Sequence, residues 1–312
     1  VGFAVSYPHT IPLPGKNDSW TLRDGLLTVG AFALLVTITG ALATRDQWAT
    51  RIGAFSNIPI AIAQLNTMDY HSLAFDPRDP NVVYFGHHNG VMKSTDGGIS
   101  WSPVLTQGDA MNLAIVDNAL IMAGHEVFMR SEDGGKSWKF IATNLPDLDI
   151  HGFAVSPTNP RVFFAFIVKY GLWRSEDFGA TWTLVSKELP DTVLGLAVVP
   201  TTPEWIYAAT MDRALLKSED GGKSWKTASG YPNKMAMALA QDPRDPRILY
   251  AASETGLFRS DSNASAWTRV GLTNKDLMTI GVSRANPSRV LVIDTQGRVY
   301  RSDDTGATWT GK

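Results

Sequence analysis

SEDGGKSW, at residues 131–138, is the stretch on which the fold of this 312-residue chain turns. It recurs unchanged at 218–225, and with substitutions as STDGGISW at 94–101, SEDFGATW at 175–182 and SDDTGATW at 302–309. A sixth copy, SDSNASAW at 260–267, is eroded: Ser262 and Ala264 stand where the others carry Asp and Gly. The closing tryptophans, Trp101, Trp138, Trp182, Trp225, Trp267 and Trp309, are therefore 37, 44, 43, 42 and 42 residues apart. A period near ~40–45 residues is that of a four-stranded propeller blade.

Each copy closes the same hydrophobic pattern. In the fifth, MAMALAQDP, RILYAAS, GLFRS and AWTRVGL are four short runs of strand-forming residues separated by turn signals. The motif itself has the chemistry of a tight turn. The side chains of Ser and of Asp96, Asp133, Asp177, Asp220 and Asp304 can bond backbone groups of their own hairpin, and Gly supplies positive φ. The tryptophan opens the fourth strand, where a large ring can fill the wedge between blades; loss of such a ring, once buried, costs ~3–5 kcal/mol.

Pro-fixed turns support the register: DPRDPN from Asp76, SPTNPR from Ser156, DPRDPR from Asp242 and RANPSR from Arg284 fall between first and second strands. The second repeat has only Asp117-Asn118 there, a two-residue hairpin signal that accounts for its short period. How the ring closes stays open, because TWTGK at the C-terminus is short. IPIAIAQL, at 58–65, reads equally as the missing strand or as linker.

These residues resemble the Asp-box, or BNR-repeat, propellers, which include sialidases, sortilin-type receptors, xyloglucan-degrading hydrolases and photosystem II assembly factors. Five of six copies match in full, over about residues 70–312. The resemblance implies an all-β, six-bladed propeller with four-stranded antiparallel blades. It does not choose a function, since the same repeat serves enzymes, receptors and assembly proteins.

Ahead of the repeats, GLLTVGAFALLVTITGALA at 25–43 gives 19 positions without a charge, close to the ~20 needed to cross a bilayer. Trp20 and Trp48 flank it at headgroup spacing. The competing reading is a secretory signal with Ala41-Leu42-Ala43 as cleavage site, against which the preceding YPHTIPLPGKNDSW is long and Pro-rich for an n-region. The expected organisation is thus a Pro-rich tail (1–24), a single transmembrane helix (25–43), a linker (44–69) and the propeller (70–312). Lys16 and Arg23 on one side balance Arg45 and Arg51 on the other, so charge barely orients the span. A short tail before a large domain favours an extracytoplasmic, periplasmic propeller. Gly30, Ala33, Thr37 and Ala41 offer a small-residue face for another membrane helix, although such residues are common in any span.

Composition narrows the functions. Lys and Arg number 28 against 30 Asp and Glu, without a block of either sign, which gives no nucleic-acid footprint. No cysteine is present, which removes disulfides, thiolate metal sites and a Cys nucleophile. No Walker loop, Rossmann glycine pattern or GxSxG elbow occurs. Neither the sialidase Phe-Arg-Ile-Pro segment nor an arginine cluster is found; Arg130, Arg174, Arg259 and Arg301 each simply precede a motif Ser.

In an up-and-down blade the Asp boxes and Pro turns share one face. The opposite face collects His71 and His151 at first strands and His87, His88 and His125 at second-to-third turns. His71, His88, His125 and His151 form a candidate transition-metal set, the one cofactor the pattern admits, set against the plainer reading of loop-bonded imidazoles. Asp109, Asp149, Asp191, Asp212, Glu126 and Glu254 fall on the same face, enough for a paired-acid glycosidase or simply solvated loop charges. The reading taken forward is a non-enzymatic, membrane-anchored accessory, scaffold or assembly subunit of a larger membrane complex, photosynthetic or respiratory in the first instance, with other transmembrane subunits as partners. An extracytoplasmic glycoside hydrolase and a metal-binding propeller are the alternatives.

Overall fold

A computed structural model describes residues 59–309. Within them the chain forms six antiparallel sheets of four strands each. Blade 1 runs Ser72–Phe75, Val83–His87, Gly90–Ser94 and Ser102–Leu105, each strand paired to the next. Blade 2 follows with Asn112–Val116, Ala119–Gly124, Val127–Ser131 and Lys139–Phe140, and blade 3 with Ile150–Val155, Phe163–Ile167, Gly171–Ser175 and Trp182–Ser186. Blades 4 and 5 open with Val193–Val199 and Ala238–Gln241.

Blade 6 contains Leu277–Val282, Val290–Asp294 and Arg298–Ser302, and its fourth strand is Ala63–Gln64 from the other end of the chain. Ala63 pairs with Val299 and Gln64 with Arg298, while Ile62 N–H donates to Val299 O (2.8 Å) and Leu65 N–H to Gly297 O (2.8 Å). The open question at 58–65 is answered by a strand, and the propeller reaches into the 44–69 stretch expected to be linker. The stretch has alternating apolar residues and no neighbour of its own, so pairing with an exposed edge satisfies its backbone.

Six hydrophobic clusters hold the ring, each straddling one blade boundary. Phe164 and Phe166 of blade 3 meet Leu196 and Val198 of blade 4, for example, and Phe75 and Phe85 of blade 1 meet Leu291 and Ile293 of blade 6. Second strands are sandwiched on both sides, which is why Phe163–Ile167 is a continuous apolar run with every residue buried.

The Asp box staples the third strand to the fourth. Ser131 Oγ accepts the Gly135 N–H (2.8 Å) and donates to Asp133 Oδ1 (2.9 Å), and that carboxylate accepts both the N–H (2.9 Å) and hydroxyl (2.6 Å) of Ser137. The Trp138 indole N–H closes the turn on Gly135 O (3.0 Å). Two consecutive residues take positive φ, Gly134 at 73° and Gly135 at 93°. The eroded copy keeps the shape at Asn263 and Ala264 (54° and 63°), with Ser262 Oγ accepting the Ala266 N–H in place of a carboxylate. Of the six tryptophans, Trp182 and Trp309 are buried and the other four half-buried, all packed against inter-blade clusters or adjoining residues.

The box face and the Pro-turn face are one: Gly97 N–H bonds Asn81 O, Phe178 N–H bonds Arg161 O and Asn263 N–H bonds Arg247 O. In blade 2 Asp117 and Asn118 both have positive φ (47° and 69°), a two-residue hairpin turn of the expected kind. The arginines before the motif Ser pair locally, Arg130 with Glu132, Arg174 with Glu176, Arg259 with Asp261 and Arg301 with Asp303. Residues 1–58, including the 25–43 stretch with Gly30, Ala33, Thr37 and Ala41, lie outside the described residues. No helix among those described is long and apolar enough to cross a membrane.

Candidate functional site

On the face opposite the boxes, blades 1 to 3 bring four histidines and three aspartates together. The first strand of blade 3 carries a bulge: Ile150 pairs with Ile167 and Gly152 with Phe166, so His151 between them has no partner of its own. A bulge re-aims its extra side chain, here toward the face. His71 has a similar position, its N–H bonded to Gly86 O (3.1 Å) although Ser72 is the residue paired with Gly86. His88 and His125 are equivalent turn residues, each directly after the second strand of its blade.

In one half of the cluster His71 Nε2 lies 3.1 Å from Asp69 Oδ2 and 3.2 Å from Asp109 Oδ1, and His88 Nδ1 lies 3.0 Å from Asp109 Oδ2 and 3.7 Å from Asp69 Oδ2. In the other, His125 Nε2, His151 Nε2 and Asp149 Oδ1 form a triangle with sides of 3.0, 3.2 and 3.2 Å. Asp109 joins the halves, because its Oδ2 also meets His125 Nδ1 at 2.6 Å. Asp109 is only 6% exposed; burial opposes its ionisation, but the imidazoles of His71 and His125 outweigh that and bring its pKa to about 2. Burial pushes the His151 imidazole below its ordinary value, which favours the neutral ring. Despite their proximity, His71 Nε2 and Asp109 Oδ1 are both buried without a well-aligned hydrogen bond.

Of the sequence candidates, His71, His88, His125 and His151 are brought together, with Asp109 and Asp149. His87 is not a member: its ring stacks on Phe85 with centroids 5.5 Å apart and accepts from Asn89 N–H. Asp191 and Asp212 serve elsewhere, accepting from Lys169 N–H and the Thr192 hydroxyl. Asp69 is the member that sequence reading passed over. A repeat signal was there to find it, since Asp69-Tyr-His71, Asp109-Ala-Met111 and Asp149-Ile-His151 place Asp-x-His or Asp-x-Met at positions 69, 109 and 149.

Behind the cluster the axial channel narrows to a cavity of about 120 Å³, lined by first-strand residues such as Leu73, Leu196, Leu239 and Ile280. A cavity of about 600 Å³ lies on the box face between blades 3 and 4, bordered by Arg174, Glu204 and Asp220.

Residues 92–103 match the BNR/Asp-box repeat model, and residues 126–256 match the model described as sortilin, neurotensin receptor 3. The described residues form a β-propeller that carries BNR/Asp-box repeats. Solved structures similar to this propeller include the GH74 xyloglucanase from Xanthomonas campestris, with a TM-score of 0.57 at 13% identity over 80% of this chain and 54% of that one. The GH74 enzyme of Niastella koreensis gives 0.53 at 16% identity over 76% of this chain and 45% of its own. YCF48 from Cyanidioschyzon merolae gives 0.56 at 13% identity over 78% of this chain and 98% of that one. At these identities the likeness is one of fold, and the chain spans about half the length of the two GH74 enzymes. No curated protein matches it.

Proposed function

We propose that this BNR propeller is a non-enzymatic accessory, scaffold or assembly subunit, tethered by the 25–43 span to a larger membrane complex and displaying its His/Asp face outside the cytoplasm. The observation that carries the non-enzymatic part is the placing of His71 Nε2 between Asp69 (3.1 Å) and Asp109 (3.2 Å). A glycosidase needs a sugar between its two carboxyl groups. Here an imidazole fills that gap, and the cavity beneath, at about 120 Å³, is small beside the roughly 300 Å³ at which ligand pockets begin. The tether rests on the 19 uncharged residues and their Trp flanks, and the small-residue face at Gly30, Ala33, Thr37 and Ala41 is where another transmembrane subunit would pack.

Solubilisation of native membranes in mild detergent, followed by size separation and identification of co-migrating subunits, tests the reading. Photosynthetic and respiratory complexes are the ones to examine first. The expected result is stoichiometric co-migration with integral membrane subunits; recovery of the chain alone, or from the soluble fraction, overturns it.

A further inference from the structure

We propose that the His/Asp face holds two divalent transition-metal ions of the zinc type, in adjacent sites joined through Asp109. One ion is held by Asp149 and His151 of blade 3 with His125 of blade 2. The other is held by Asp69, His71 and His88 of blade 1 with Asp109 of blade 2.

The first site is argued from its triangle. Three donors separated by 3.0, 3.2 and 3.2 Å match the edge lengths around a small cation, since bonds of ~2.0–2.2 Å give donor separations of roughly 3.0–3.5 Å. An ion about 2.1 Å from each corner sits about 1 Å out of their plane, with further positions open to solvent. Two imidazoles and one carboxylate on a single face are a donor set that such metals accept.

The 2.6 Å contact between His125 Nδ1 and Asp109 Oδ2 supplies the outer carboxylate that metal-bound histidines regularly have, which fixes the ring and raises its basicity.

The second site rests on an independent observation. Asp109 Oδ1 and His71 Nε2 are buried, 3.2 Å apart and without well-aligned hydrogen bonds. Two polar atoms facing each other at a ligand-edge distance in poor hydrogen-bond geometry point to a shared ion, because leaving both unsatisfied is costly. Asp69 Oδ2, His71 Nε2 and His88 Nδ1 lie within 4.8 Å of one another, and Asp109 Oδ1, 3.2 Å from His71 Nε2, brings the donors to four, the number a closed zinc site uses. The His125 ring separates the two ions, so this is not the closely bridged pair of a two-metal hydrolase, whose ions are only ~3.5–4 Å apart.

The test is calorimetric titration of the metal-stripped, tag-free full chain in detergent with Zn²⁺, with Co²⁺ absorption as a second readout. Two equivalents are expected. His151→Ala should remove one and His71→Ala the other, each leaving the remaining equivalent in place. Asp109→Asn should weaken both, about 10–100-fold at the first site, where it acts only from behind His125. Circular dichroism of each variant separates lost sites from lost folding, and Asp149→Asn and Asp69→Asn repeat the comparison if a histidine variant fails to fold. Absence of binding, a single equivalent in the unaltered chain, or two equivalents that survive His71→Ala and His151→Ala together overturns the proposal.

Discussion

Ala63, in the first described strand, pairs with Val299 in the last, and that contact makes the ring continuous. The closing strand is short, and Leu65 beside it is buried in the cluster that also contains Leu291, Ile293 and Val299. Leu65→Ala is expected to lower the unfolding free energy by ~2–5 kcal/mol, the usual cost of emptying a core leucine. Ile62→Pro removes the donor to Val299 O and should cost ~1–3 kcal/mol. Phe140→Ala, on the exposed outer strand of blade 2, should stay within about 0.5 kcal/mol. Urea unfolding of the three variants checks the ranking. Equal losses for Leu65 and Phe140 would argue against closure by this strand.

Within the Asp box the buried partner is the serine. Ser218 Oγ accepts the Gly222 N–H at 2.8 Å and donates to Asp220 at 2.7 Å, so Ser218→Ala leaves a buried amide unsatisfied and should cost ~1–3 kcal/mol. The eroded box gives the converse. Ser262→Asp puts the carboxylate of the other boxes in place of the hydroxyl that now meets the Ala266 amide and Ser260, and adding Ala266→Ser restores the hydroxyl that other boxes carry at this place. The double variant is expected to gain about 1 kcal/mol in thermal or chemical unfolding. A loss would mean that blade 5 has repacked around its substitutions.

The box carboxylates also predict the acid limit. Hydrogen bonds from the Thr181 hydroxyl and amide hold Asp177 down from 3.8 to about 2; at Asp96 burial opposes ionisation, but the bonds from Ser100 and Ser94 prevail, and it too falls to about 2. A carboxylate with a lowered folded pKa contributes stability above its unfolded pKa and loses it as pH falls through the folded value. The melting temperature should therefore be insensitive to these groups above about pH 5 and fall between about pH 4 and 2. Asp177→Asn should be less stable at neutral pH and show a shallower acid decline. An identical slope in that variant would show that the carboxylate is not coupled to folding.

The parts of the molecule legible in the sequence are those the chain states locally. Ser131, Asp133, Gly135 and Trp138 act within one turn, so their spacing carries their structure. Asp117 and Asn118 announce a hairpin because few residues tolerate two positive φ values together. Ring closure by Ala63 was ambiguous because a short apolar run has no local marker of its distant partner. The site was only half visible for a related reason. Its histidines stood out as rare residues on one face, whereas Asp69 looked like any loop acid. Its role depends on a contact with His71 and on Asp109, 40 positions away in the neighbouring blade.

Adjacent glycines in one box separate backbone strain from packing. Both have positive φ, Gly221 at 77° and Gly222 at 92°, a region that costs an L-residue roughly 1–2 kcal/mol. A Cβ on Gly221 would meet nothing within 4 Å. On Gly222 it would lie 2.3 Å from Leu172 Cδ2, a fully buried side chain of blade 3 in the cluster that also contains Ile206 and against which Val185 packs. Gly221→Ala should therefore cost only the backbone share, about 1–2 kcal/mol. Gly222→Ala should add ~1–3 kcal/mol of overpacking against Leu172. A Leu172→Ala background tests the cause: there the excess cost of Gly222→Ala over Gly221→Ala should shrink toward zero, because the clash is relieved while the backbone strain remains. An excess that persists would place the cost in the turn rather than between the blades.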